Sequence, residues 1–305
     1  MHLSFFLTIL CLLRRASTLT SFDDWGYQRI ALDNVSIHLR YAGSGPPVLL
    51  VHGNPRFSLT WRTIGPLLAE NYTVIAVDNR GAGDSVLDFL NITSTYILSH
   101  DMGAGIATAL AVKHPDLVRR LVVTEYLLPD FGFEAARNPG AYWDLYANWQ
   151  LAFFSVTDAA EFFISGKEKQ MLECSISKPG FLRAMLGPFE IRAITSAASS
   201  FQGTLGKRPL QVPTLAMGGE ASLGPFASQA WSNVTSHLET DVVPKAGHWI
   251  ADENPTWVAR RIARFFSEDH SHPPPPINLS VLNDRSTLTV GYFGTLQNVA
   301  LSGSS

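Results

Sequence analysis

The pentapeptide Ser99-His100-Asp101-Met102-Gly103 constrains this chain more than any other segment. An apolar, β-prone stretch, Thr95-Tyr96-Ile97-Leu98, runs into it, and a run of small residues suited to a close-packed helix, Ala104 to Val112, follows. Small residues two before and two after a nucleophilic side chain mark a strained strand-to-helix turn, because bulk at either place collides with the neighbouring backbone. Such a turn requires strands that alternate with helices, and it raises the nucleophile at the carboxyl edge of the sheet, where ligands bind. Serine is the usual centre; here it is Asp101. A carboxylate attacks carbon and leaves an ester on the enzyme, which water must then cleave. The competing reading makes Asp101 an ordinary helix N-cap.

The flanking pattern supplies the sheet. Tyr27 to Tyr41 alternates as a hairpin, with Val35, Ile37 and Leu39 between polar neighbours. Short apolar runs predict buried strands over Pro47–His52, Tyr72–Asp78, Thr95–Asp101, Leu121–Glu125, Thr214–Gly219 and Thr240–Pro244, with helices over Thr60–Glu70 and Thr256–Phe266. This alternation implies a doubly wound, parallel sheet. Asn54, Asp101, Glu125 and His248 each fall just after a strand end. The stretch Pro129 to Pro209 breaks the pattern, is rich in aromatic residues, and has helical periodicity over Ala141–Phe154. Only the 16 residues 79–94 connect two of the parallel strands, with room for at most two helical turns, Val86 to Leu90; parallel connections need a dozen or so residues. After His270, the run Pro273 to Pro276 stops the helix and no period resumes, so 269–305 reads as a Pro-rich tail, disordered or loosely attached.

Three further motifs accompany the turn: Val51-His52-Gly53-Asn54-Pro55 with Trp61 downstream, Val77-Asp78-Asn79-Arg80-Gly81-Ala82-Gly83-Asp84-Ser85, and Ala246-Gly247-His248-Trp249. Together they resemble the epoxide hydrolase and haloacetate dehalogenase branch of the α/β-hydrolase superfamily, over about Ser21 to Phe266. The resemblance implies an α/β-hydrolase fold, a mostly parallel doubly wound sheet with an inserted helical cap. It divides the chain into a core of 21–128 and 210–268, a cap of 129–209, and a leader of 1–20. It implies that Asp101 is the nucleophile and His248 the base that activates water. The acid partner of His248 follows either of two strands, at Glu125 or at Glu220, and Glu125 is favoured because Ser222 stands where most relatives carry an Asp. The backbone N–H groups of Asn54 and Met102 would form the oxyanion hole. In the cap, Trp149 stands at the first of two donor-tyrosine positions and Ile191 at the second; the resemblance implies Trp149 as leaving-group donor, with packing of the cap as the competing reading and Tyr146 or Tyr142 as substitute donors. The arginines that grip a substrate carboxylate in the dehalogenase relatives are replaced by Met102 and Gly105. Epoxide opening is the leading reaction, carbon–halogen hydrolysis the runner-up, and a degenerate small-molecule binder the alternative of another class.

Net charge is −3 and no run of Lys or Arg exceeds a pair, so nucleic acid is not an expected partner. The nine His show no zinc spacing, and no cofactor or metal is expected. The expected partners are water and a small lipophilic substrate, with a monomeric or homodimeric chain. Leu3 to Leu13 is apolar but too short for a transmembrane span, and it reads as a signal peptide. If it is removed, Cys174 is the only cysteine remaining and no intrachain disulfide can form. Acceptor sequons at Asn34, Asn71, Asn91, Asn233 and Asn278 fit a secreted glycoprotein.

Overall fold

The computed structural model describes residues 21–32, 35–78, 83–137, 151–165, 181–270, 272–279, 282, 287–292 and 295–300. Strands β1 (Gly26–Leu32) and β2 (Val35–Ala42) form the expected hairpin. They extend a sheet made of β3 (Pro47–Val51), β4 (Thr73–Val77), β5 (Thr95–His100), β6 (Val118–Thr124), β7 (Thr214–Gly219) and β8 (Leu238–Val243), in the order β1-β2-β4-β3-β5-β6-β7-β8. β2 runs against both its neighbours, and the pairs from β4 to β8 are parallel.

The apolar runs predict burial on both faces, and they alternate between two cores. Leu49, Val51, Ile75, Val77, Ile97, Leu121 and Val123 point to one face. Val48, Leu50, Val74, Ala76, Tyr96, Leu98 and Val122 point to the other. After α1 (Gly65–Ala69) and α2 (Gly83–Phe89), helix α3 (Met102–Lys113) presses Ala104, Ala107 and Ala111 onto the first face. The second face is covered by Trp61, by Leu68 of α1, and by the last helix of the core.

Between β6 and β7 the chain forms α4 (Phe133–Arg137), a helical segment at 151–155, α5 (Thr157–Ile164), α6 (Phe181–Leu186) and α7 (Ile191–Thr204). Ala160, Ile164, Leu182, Met185 and Leu186 pack together with Phe153 and Phe154 as a core of their own. Leu127, Phe133 and Ile194 join the segment to the carboxyl edge of the sheet. Most of the helix expected at Ala141–Phe154 lies outside the described residues. After β7 follow α8 (Pro225–Trp231), α9 (Ile250–Glu253) and α10 (Pro255–Ser267), whose Val258, Ile262, Phe265 and Phe266 complete the second core.

Two expected elements differ from the structure, and two other segments gain detail. The helix over Thr60–Glu70 is a 3₁₀ turn, Ser58–Trp61, followed by the short α1. Pro66 at its first turn starts a helix but cannot continue one. The short connection closes: α2 begins before Val86, and Val86, Leu87, Leu90 and Ile92 are buried in the first core. β6 begins at Val118, three residues before Leu121. Arg119 and Arg120 hid its start, because their charges are met by Asp269 and Glu268 and the Arg120 guanidinium sits 4.7 Å from the Phe265 ring centre. The tail is attached through 272–279 and Leu282. Leu282 is buried in the first core, Ile277 and Leu279 pack against it, and Gln28 Nε2 donates to the Leu282 carbonyl at 2.7 Å. Prolines end the helix without preventing the side chains beyond them from docking. Residues Thr287–Tyr292 and Thr295–Ala300 pair as an antiparallel hairpin.

Among the described residues no helix is long and apolar enough to cross a membrane.

Candidate active site

Asp101 ends β5 in the left-handed region, at φ 53°, and α3 begins at the next residue. A β-carbon on Gly103 would collide with the carbonyl oxygens of Val51 and His52, so only glycine lets the helix approach β3 this closely. Gly53 answers the same demand opposite: a β-carbon there would overlap the Asp101 side chain. The Asp101 carboxylate caps no amide of α3, which disposes of the N-cap reading. Its Oδ1 instead accepts the Asn54 N–H at 2.8 Å, from the turn after β3. The Asn54–Pro55 peptide bond is cis. The Met102 N–H belongs to the first turn of α3, where amides have no intrahelical acceptor and the helix dipole favours negative charge.

His248 stands in the loop after β8, with Nε2 3.8 Å from Asp101 Oδ2 and Nδ1 3.0 Å from Glu125 Oε2. Of the two candidate acids, the structure brings Glu125 to the histidine. Glu125 also sits at positive φ, 53°, immediately after β6, and its carboxylate has no solvent exposure. A buried carboxylate is tolerated where donors surround it. Gly219 N–H and Ser222 Oγ–H each donate to it at 2.6 Å, so with His248 it accepts three hydrogen bonds. Ser222, at the place where most relatives carry their acid, thus serves the acid on the adjoining strand. Glu220 is an exposed loop residue whose carboxylate accepts the Lys245 N–H at 2.8 Å.

The His248 pKa is raised. Burial opposes its protonation, but the Glu125 hydrogen bond and the charges of Asp101 and Glu125 outweigh burial and the nearby Arg56. His100 behaves oppositely. It is fully buried, its ring centre is 4.9 Å from that of His248, and burial together with the charges of His248, Arg56 and His52 holds its pKa well below the ordinary value. Its Nδ1 meets Thr124 Oγ1 at 3.0 Å, and among the described residues its Nε2 has no partner. Arg56 lies over Trp249 at 4.0 Å and pairs with Asp252. Farther out, Asp78 accepts from Ser58 N–H and pairs with His38. Burial would raise its pKa, but those partners hold it at about 2.

Trp149 lies outside the described residues. Ile191 opens α7 and is largely exposed, so no donor faces the cleft from there. Asn54 Nδ2 donates to the Met185 carbonyl at 2.5 Å, which ties the turn after β3 to helix α6. Sequence reasoning missed Tyr126, the neighbour of Glu125, whose ring fills the space beside Gly105. The missing side chain at 105 was the available signal.

Comparisons with known proteins bear on the fold and the family. A model of the alpha/beta hydrolase family matches residues 48–261. The soluble epoxide hydrolase of Corynebacterium sp. (strain C12) is 25% identical over 293 residues, spanning 79% of this chain and 97% of that protein. A fluoroacetate dehalogenase of Burkholderia sp. is 30% identical over 148 residues, 40% of this chain and 49% of that protein. The crystal structure of wild-type Cfl2 from Burkholderia cenocepacia superposes with a TM-score of 0.74 at 24% identity, covering 82% of this chain and 97% of that one, and it shares the fold. With the family model matching well over half of its length, the chain belongs to the alpha/beta hydrolase family.

Proposed function

We propose that this hydrolase opens lipophilic epoxides to diols through a covalent ester on Asp101. The observation that carries the reading is the line Asp101–His248–Glu125 at the carboxyl edge of the sheet. The two Asp101 oxygens are inequivalent. Oδ1 is held by the Asn54 N–H, so Oδ2 is the oxygen free to attack carbon. The ester carbonyl then retains Oδ1 in the pocket formed by the Asn54 and Met102 amides, where negative charge develops as water attacks. The 3.8 Å gap from Oδ2 to His248 Nε2 suits a step in which the imidazole acts through water. Glu125 holds the Nδ1–H tautomer and leaves Nε2 as the base. Alkylation removes the Asp101 charge, and with it one of the interactions that raise the His248 pKa, so the ester itself favours the base form.

The relative named as a soluble epoxide hydrolase supports the reaction. Hydrolytic dehalogenation is the second reading, favoured by the position of Glu125 after β6 and by the dehalogenase relative. Closure of the short connection by α2 removes one reason to treat the chain as a degenerate binder. His248→Gln tests the mechanism: it should accumulate an ester on Asp101, visible as a mass increase on the peptide that contains it. Asp101→Asn should show neither ester nor turnover, and full activity in Asp101→Asn would overturn the reading.

Export and glycosylation belong to the same proposal. The apolar run Leu3 to Leu13 supports it, as do Asn71, Asn91, Asn233 and Asn278, all exposed. Expression in a eukaryotic secretory host should yield a product whose excess mass disappears on glycan removal; a product retaining Met1 and bearing no glycan would refute it.

A further inference from the structure

Gly105 lies four residues past Asp101, about one turn along α3. A β-carbon there would stand 3.3 Å from Tyr126 Cε1 and 3.4 Å from its hydroxyl, so the phenol occupies the room that a side chain at 105 would fill. The left-handed turn at Glu125 separates the two neighbours, the carboxylate going to His248 and the phenol to the elbow helix. Trp231 Nε1 donates to the Tyr126 carbonyl at 2.8 Å, and the Phe133 ring centre lies 6.2 Å from that of Tyr126. The ring is partly buried, and its hydroxyl makes no hydrogen bond to the described residues. Burial raises its pKa, and the Asp101 charge is the strongest electrostatic contribution, ahead of Glu134. The proton therefore stays on the phenol, which packs against the helix one turn beyond the nucleophile.

We propose that the Tyr126 hydroxyl is the donor to the leaving atom of the substrate, the ring oxygen of an epoxide, taking the place that no tyrosine fills at Ile191. The inference rests on the Asp101-ester reading. Asp101 Oδ2 bonds to carbon, the carbon–oxygen bond of the ring breaks, and its electron pair goes to the oxygen, which takes the Tyr126 proton. The phenolate forms as the Asp101 charge is consumed, so the repulsion that opposed its formation disappears in the same step. Water then cleaves the ester, restores the carboxylate and releases the alcohol, and the proton set free returns to the phenolate.

Single-turnover kinetics with an aryl epoxide separate the two half-reactions. Tyr126→Phe keeps the ring against Gly105 and removes the donor. Ester formation should slow by about 100-fold, in the range for loss of one preorganised donor, while hydrolysis of the ester in the same variant changes less than threefold. Gly105→Ala leaves the hydroxyl but crowds the ring, and it should slow ester formation several-fold. It reads the same step if Tyr126→Phe fails to fold. Ester formation within twofold of wild type in the folded Tyr126→Phe protein, or unchanged in Gly105→Ala where that variant is the readout, overturns the Tyr126 role and leaves the Asp101 reading standing. A wild-type protein that forms no ester with any epoxide or alkyl halide overturns both.

Discussion

Replacing Glu125 by Gln changes one atom in the most constrained part of the site. The carboxylate accepts from Gly219 N–H at 2.6 Å, Ser222 Oγ–H at 2.6 Å and His248 Nδ1–H at 3.0 Å, and it is shielded from solvent. An amide has one accepting oxygen and two N–H groups. With the oxygen kept on Gly219, which cannot rotate away, the NH₂ group faces Ser222 and His248. The serine hydroxyl can turn and accept. The imidazole can only accept at Nδ1 by moving its proton to Nε2, and in that tautomer it no longer acts as a base toward the ester. A wrong-tautomer substitution of this kind costs about 10⁴-fold in a serine-protease triad. Ester hydrolysis in Glu125→Gln should therefore fall by about 10³- to 10⁴-fold, while ester formation, which does not use the base, falls far less. The lost charge-assisted bonds should lower stability by about 1–3 kcal/mol. Rapid-quench mass spectrometry resolves the two steps, and denaturant melts give the stability. Ester hydrolysis within tenfold of wild type would refute the reasoning, as would an equal loss in Glu220→Gln, whose carboxylate accepts the Lys245 N–H at the surface.

The raised His248 pKa sets a pH dependence. A group whose pKa rises on folding stabilises fully below its unfolded value, near 6.5, and the contribution is lost as pH rises through the folded value. The stability gap between wild type and His248→Gln should be largest below pH 6.5 and shrink on the alkaline side; a gap that widens with pH would contradict the assignment. Gly103→Ala drives a β-carbon into the Val51 and His52 carbonyls, which should cost about 2–4 kcal/mol in denaturant melts, and a loss under 0.5 kcal/mol would show that the turn is slack. Trp149→Phe should reduce turnover with folding unchanged if its indole N–H serves the leaving group alongside Tyr126, whereas a change confined to thermal stability would assign Trp149 to packing.

The parts of the fold set by local rules were legible in the sequence. Period-two and continuous apolar runs gave away the strands because each is dictated by atoms within a few residues, and Gly103 marked the tight turn, although the carbonyls it must avoid, those of Val51 and His52, come from about 50 residues earlier. The start of β6 was hidden because Arg119 and Arg120 are neutralised by Asp269 and Glu268, about 150 residues away. The docking of Leu282 depends likewise on Gln28 and the opposite end of the chain. The choice between Glu125 and Glu220 required the third dimension: both follow strands, but only the positive φ at Glu125 turns its carboxylate toward His248. Ser222 was visible as an absence, the missing acid, and its part as a donor to Glu125 emerged only from the contact.

The central claim, a covalent ester on Asp101, is tested most directly by a single turnover in ¹⁸O-labelled water with enzyme in excess over an epoxide. Water attacks the ester carbonyl, so one labelled oxygen should enter the Asp101 carboxylate and appear in the peptide that contains it, while the diol of that first turnover carries unlabelled enzyme oxygen. Label found in the diol with none in the Asp101 peptide would mean that water attacks the substrate directly, and would contradict the account.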